Sequence, residues 1–156
     1  MIIPLFKKNG SFTIDYATND YIYSEQNSFI SNNKSLYYSA FFQTFFENDS
    51  INKTDYPCMI GEKQIEMLNE IKRYLDEYGA SYKIIIYPEP DARSFNTDDF
   101  RILQNIFGKD NVFNYTGSNE ITTNKENYID DIHARSFVGD KILKDIYSRS
   151  NLKADR

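Results

Sequence analysis

Between residues 60 and 150 the chain alternates between two hydrophobic periods, and this alternation restricts its fold more than any other feature. The stretch "GEKQIEMLNEIKRYLDEYG" sets Ile65, Leu68, Ile71, Leu75 and Tyr78 at spacings of three and four, one apolar face of a helix, with Gly79 as its stop. "YKIIIYP" follows, a short β-branched run closed by Pro88, and predicts a buried strand. "NTDDFRILQNIFG" predicts a second helix, with Asn96 or Thr97 as cap, Asp98 and Asp99 at its positive end and Gly108 after its last turn. "NVFNYTG" reads as a second strand. "RSFVGDKILKDIYSR" reads as a last helix, with Ser136 placed to cap it and Val138, Ile142 and Ile146 along one face. Helix, strand, helix, strand, helix is the rhythm of an α/β fold with a mostly parallel sheet.

Residues 1–58 have a different texture, rich in Asn, Ser, Tyr and Phe with weak periodicity. They are expected to form an irregular region, residues 59–150 the α/β region and residues 151–156 a tail. "SFTIDY" alternates like a strand and is expected to pair with "DYIYS". "SLYYSAFFQTFFEN" puts Tyr37, Phe41 and Phe45 in one row and Tyr38, Phe42 and Phe46 in the next, at helical spacing. This aromatic helix, 36–47, is either buried on two sides or a docking face for a protein partner or for a missing N-terminal part.

The 156 residues can bury a core, and 40% of them are hydrophobic, which excludes a disordered composition. A net charge of -5 leaves no basic field for a nucleic acid. The start "MIIPLFKKNG" has neither the charge-then-apolar order of a secretory signal nor the length of a membrane span. A single cysteine, Cys58, cannot form an internal disulfide.

One segment carries recognisable chemistry: "NYIDDIHARSFVGDKILKDIY", which holds His133, the chain's one histidine. In an open α/β sheet, ligands bind beyond the C-terminal ends of the strands, and the loop after "NVFNY" leaves such an end. A neutral imidazole there can take a proton from a hydroxyl near pH 7. A carboxylate on its other ring nitrogen would fix the tautomer, and Asp130, three residues earlier, has the spacing to fold back to the ring. Asp131 is too close in sequence for that geometry. The competing reading is an acidic surface turn ahead of a helix.

Together, "YKIIIYPEPD" and "ILQNIFGKDNVFNYTGSNEITTNKENYIDDIHARSFVGDKILKDIY" resemble the C-terminal part of SGNH/GDSL-type hydrolases, of a bacterial, cell-surface or polysaccharide-linked branch. The resemblance covers roughly residues 60 to 150. It implies a three-layer, flavodoxin-like sandwich, incomplete here, and an esterase or acyltransferase acting on an acyl ester such as an O-acetyl group of a glycan. It implies His133 as general base and Asp130 as its orienting acid. It also implies an exported or cell-envelope setting, which the sequence itself leaves unknown.

The family's G-D-S nucleophile block is missing. "NGSFT" offers Ser11 without the aspartate, and "YATNDY" offers Asn19 in a block where Ala17 replaces the family's glycine. Ser94 follows the strand "KIIIY" but lacks the glycine neighbours of a sharp nucleophile turn. Glu89, Asp91 and Arg93 share its loop, either an acid–base pair or a solvated turn. Cys58 precedes a helix N-terminus that could lower a thiol's pKa, against the plainer reading of a buried, inert cysteine. Asp130, Asp131 and Glu120 could offer oxygen to a hard cation, but without the spacing of a calcium loop; neither a metal nor a cofactor is expected. Two accounts fit: the acid–base part of a longer hydrolase, or a non-catalytic binding or assembly module on a degenerate relative of that fold.

Overall fold

The computed structural model describes residues 13–15, 20–22, 24–41, 55–129 and 132–154, and shows an α/β protein. The chain divides into two compact units, residues 1–44 and 45–156. The division falls ahead of the composition change near residue 58, because residues 55–60 are hydrogen-bonded into the second unit.

In the first unit, β1 (Thr13–Asp15) pairs antiparallel with β2 (Asp20–Ile22), in the register Thr13↔Ile22, as the alternation in "SFTIDY" and "DYIYS" predicts. A helix that the periodicity does not announce follows, α1 (Ser24–Asn32). Its sequence, SEQNSFISN, has only Phe29 and Ile30 to bury. Asn33 breaks it by turning its side chain back to donate to the Phe29 carbonyl at 3.1 Å. A short α2 (Lys34–Leu36) then widens into a π-turn over Tyr37–Phe41. Tyr37 is buried, with Phe29 edge-on to it at 6.5 Å and Tyr38 at 5.1 Å. Residues 42–47 of the expected aromatic helix, including Phe42, Phe45 and Phe46, lie outside the described residues.

The second unit is built on two parallel strands, β3 (Ile84–Ile86) and β4 (Val112–Asn114), with Ile84 opposite Val112 and Ile86 opposite Asn114. Before β3 comes α3 (Glu62–Glu77), between the strands α4 (Thr97–Phe107), and after β4 a long loop and α5 (Ser136–Ala154). Strand side chains alternate between faces. Ile84, Ile86 and Val112 therefore join Leu103, Phe107, Leu68 and Leu75 of α3 and α4, while Ile85 and Phe113 join Val138, Ile142 and Ile146 of α5. Helices thus cover both faces of the pair. The strand expected to be buried is half-buried, since each strand has one partner among the described residues.

The face of α3 differs from the expected one. Ile65, Leu68 and Leu75 turn inward, but Ile71 is 48% and Tyr78 79% exposed, and the half-buried place between Leu68 and Leu75 goes to Lys72. Lys72 lays its apolar stem on the core side, its amine 6.0 Å from the Tyr82 ring centroid and paired with Asp76. Asn96 caps α4, its Oδ1 accepting from the N–H groups of Asp98 at 2.9 Å and Asp99 at 3.2 Å. Gly108, at φ 88, ends that helix as expected. The last helix starts at Ser136 itself, and Val138, Ile142 and Ile146 form its buried row. No helix among the described residues is long and apolar enough to cross a membrane.

Candidate functional site

Because β3 and β4 are parallel, their C-terminal ends share one edge, and the loops leaving that edge hold His133, Ser94, Glu89, Asp91 and Arg93. The loop after β3 contains two prolines, both buried, then Asp91, Ala92 and Arg93. Ala92 adopts φ 55, a left-handed conformation that costs a non-glycine residue about 1 kcal/mol. The turn folds Arg93 back on Asp91: its N–H donates to Asp91 Oδ1 at 3.0 Å and its Nε to Oδ2. Tyr56, from the segment before α3, enters the same cluster. Its hydroxyl donates to Glu89 Oε2, lies 3.2 Å from Asp91 Oδ2 and accepts from Arg93 Nη2 at 2.9 Å. The guanidinium stacks 4.1 Å from the Tyr56 ring centroid.

This wiring fixes the proton inventory. Burial, the Glu89 hydrogen bond and the neighbouring carboxylates push the Tyr56 hydroxyl far above its ordinary range, so it is a donor and not a base. Burial would raise Asp91, but the N–H and guanidinium of Arg93 and the Tyr56 hydroxyl outweigh it and hold the carboxyl below its usual value. Tyr56, Glu89, Asp91 and Arg93 thus exchange donors and acceptors in a half-buried cluster, where the sequence offered a solvated turn.

The loop after β4 is organised by Asn119, whose Oδ1 accepts from Ile121 N–H at 2.8 Å and whose Nδ2 donates to the Tyr115 carbonyl at 2.9 Å. Gly117, at φ 77, brings this loop against the first one: a Cβ there would sit 3.1 Å from Ser94 Oγ. The chain then doubles back. Tyr128 bridges Ala134 in antiparallel fashion, Ile129 N–H donates to the His133 carbonyl at 2.8 Å, and Arg135 N–H to the Asn127 carbonyl at 2.8 Å. Two tyrosines tie this ladder to the β3 loop. Buried Tyr128 donates its hydroxyl to the Pro88 carbonyl at 3.4 Å, and the Tyr87 hydroxyl accepts from Ala134 N–H at 3.2 Å. Burial is the main cause that raises the Tyr128 pKa, with Tyr87, Asp91 and Glu89 adding to it, which places the two loops in one electrostatic neighbourhood.

His133 therefore stands exposed on a ladder fastened at the C-terminal strand edge. Asp130, its proposed partner, lies outside the described residues, as do Asp131, Ser11 and Asn19. Ser94 reaches the same edge, but its hydrogen bonds run through its main chain, N–H to Asp55 Oδ1 at 3.3 Å and carbonyl from Tyr56 N–H at 3.0 Å. No hydrogen bond joins Ser94 to His133 among the described residues. Glu120 pairs with Lys141 at 2.7 Å.

Cys58 departs from both expectations. It is exposed, not buried, and its thiol donates to Asp99 Oδ1 at 3.1 Å, which raises its pKa. A nearby helix N-terminus is outweighed by a carboxylate that needs the thiol's proton. Asp99 itself is buried and accepts from Met59 N–H at 2.8 Å and Ile60 N–H at 3.1 Å. Burial would raise its pKa, yet those donors and the thiol hold it below the usual carboxylate value. Tyr56, Tyr87, Tyr128 and Asp99 were not legible as site-building residues, since each acts on a partner about forty residues away. The one available signal was the density of tyrosines around the "YPEPD" loop.

No protein-family model, curated protein or solved structure matches the chain.

Proposed function

We propose that residues 59–150 carry the acid–base part of an SGNH-type ester hydrolase or acyltransferase, on a three-layer, flavodoxin-like sandwich. The single observation that supports this most is the place of His133: on the loop leaving the second parallel strand, at the strands' C-terminal edge, one short step before the last helix. In this reading the His133 imidazole takes the proton of a serine hydroxyl as that oxygen attacks an ester carbonyl. Asp130 accepts a hydrogen bond from the other ring nitrogen and steadies the imidazolium. The same proton then passes to the departing alcohol, and water or an acceptor hydroxyl releases the acyl group in the reverse order. The substrate class, an acyl ester such as an O-acetylated glycan, follows from the resemblance, as does an exported or envelope setting.

One observation favours a second reading, a binding or assembly module without turnover. Ser94, the described serine nearest in role, is packed on Gly117 and not joined to His133. On this reading a protein partner would dock on the aromatic segment 36–47.

Fluorophosphonate labelling of the full chain, read by intact mass, tests the hydrolase reading. The hydrolase reading expects one adduct on the folded wild type, lost in His133→Ala and weakened in Asp130→Asn, with peptide mapping naming Ser11, Ser94 or another serine. An adduct undiminished in His133→Ala removes His133 as the base, and a folded wild type without an adduct shows that this chain holds no activated serine, which leaves either the acid–base part of a longer hydrolase or the binding module.

A further inference from the structure

Among the described residues, one buried side-chain polar atom has no hydrogen-bond partner, and it is Arg135 Nε. An orphaned N–H is costly anywhere, and more so on a cation, so such an atom calls for a specific explanation. Three other arginines have carboxylates: Arg73 pairs with Glu77 at 2.9 Å, Arg101 with Asp98 at 3.2 Å, and Arg93 with Asp91. Arg135 has no such ion pair among the described residues, although acidic residues outnumber basic ones by 23 to 18. The main chain at Arg135 is fully engaged, its N–H on the Asn127 carbonyl and its own carbonyl accepting from Val138 N–H at 2.9 Å. Its guanidinium is steadied over the Phe137 ring, 5.3 Å from the centroid. A half-buried, oriented guanidinium with an unfilled donor is the usual equipment for holding a planar or tetrahedral oxyanion.

Its position gives that donor a purpose. Residues 133–135 run as one side of the ladder with 127–129, and side chains two apart on such a segment share a face. Ala134 packs against the cluster of Ile121, Val138 and Ile142, and the alternation of the segment assigns His133 and Arg135 to the opposite face. We propose that Arg135 is an anion-binding residue that selects, beside His133, a small molecule or glycan unit bearing a carboxylate or a phosphate. The ester at His133 rests on the hydrolase reading; the anion site does not need it, and the two are measured apart.

The test is an NMR titration of the isotope-labelled full chain at constant ionic strength with glucuronate, glycerol phosphate and neutral glucose, following the Arg135 Nε–H and His133 ring resonances. The expected result is a saturable shift of both resonances with glucuronate, glycerol phosphate or both, and none with glucose. The arm that responds identifies the anion as carboxylate or phosphate. Arg135→Gln is expected to weaken binding by ~10-fold or more. Arg135→Lys, which keeps the charge but not the planar fork, is expected to weaken it less and guards against a Gln variant that fails to fold. Absence of a saturable shift with either anion, an equal shift with glucose, or unchanged affinity in both variants would overturn the proposal and leave a bound water as the occupant of Nε. Since no turnover is read, a negative labelling result with a positive titration leaves the anion site standing, and the reverse isolates its failure.

Discussion

Replacing Asp99 by Asn tests the idea that one buried carboxylate fastens the segment before α3 to the start of α4. The substitution keeps the shape and changes the chemistry. Asp99 accepts from Met59 N–H on one oxygen and from Ile60 N–H and the Cys58 thiol on the other. An amide must turn its NH2 group toward one of these donors. The less costly flip faces Met59, which leaves one N–H without its acceptor at about 1–3 kcal/mol and weakens the other bonds by removing their charge. Cys58 and Met59 are exposed, so water recovers part of the loss, and the expected net destabilisation is about 2 kcal/mol. The assay is urea unfolding from neutral to acidic pH, with hydrogen exchange at Met59 and Ile60. The sign with pH follows from a folded-state pKa held below the unfolded one. The stabilisation by Asp99 is fully present above the unfolded carboxylate value of about 4 and is lost as pH falls through the folded value. The gap between wild type and Asp99→Asn should therefore narrow in acid. A variant within about 0.5 kcal/mol of wild type at neutral pH, or a gap that does not narrow, would refute the reasoning.

Three further outcomes are expected. Ala92→Gly should stabilise by no more than about 0.5 kcal/mol in the same assay, because relief of about 1 kcal/mol of left-handed strain is offset in large part by the roughly 0.5–1 kcal/mol of entropy glycine adds to the unfolded chain. Gly117→Ala should lower the melting temperature, its φ of 77 costing about 1 kcal/mol and its Cβ pressing Ser94; Ser94→Gly in the same chain should recover the steric part only. Ile146→Ala, fully buried on α5, should cost about 2–5 kcal/mol by calorimetry, whereas Leu143→Ala, 48% exposed on the same helix, should stay within about 1 kcal/mol.

What could be read from the sequence depended on the range of the interaction. The row Val138, Ile142 and Ile146, the Asn96 cap, the Gly108 stop and the two strands all follow from spacings within one element, and the structure has them. α1 was missed because nine residues with two apolar side chains have no period to detect. Ile71 and Tyr78 fit the period of α3, but the packed stripe is narrower than the apolar one, and only the position of β3 and β4 decides which edge of it is covered. Asp99 read as a helix-dipole residue and proved to be a clamp, since its donors stand up to 41 residues earlier. The His133 segment was visible by its composition; its fastening by Tyr87 and Tyr128 was not, because a single hydroxyl on a distant backbone group leaves no pattern in the chain.

The clamp at Asp99 also sets an order of events during synthesis. Cys58, Met59 and Ile60 leave the ribosome about forty residues before the carboxylate that holds them, and Tyr56 precedes Glu89 by 33. At 5–20 residues per second, the segment waits roughly two to eight seconds with its backbone donors bound to water. α3 can form in that interval from its own residues, but it cannot be placed. The early part of this unit is thus positioned by its later part, and a nascent chain stalled before residue 99 would hold a helix with nowhere to anchor.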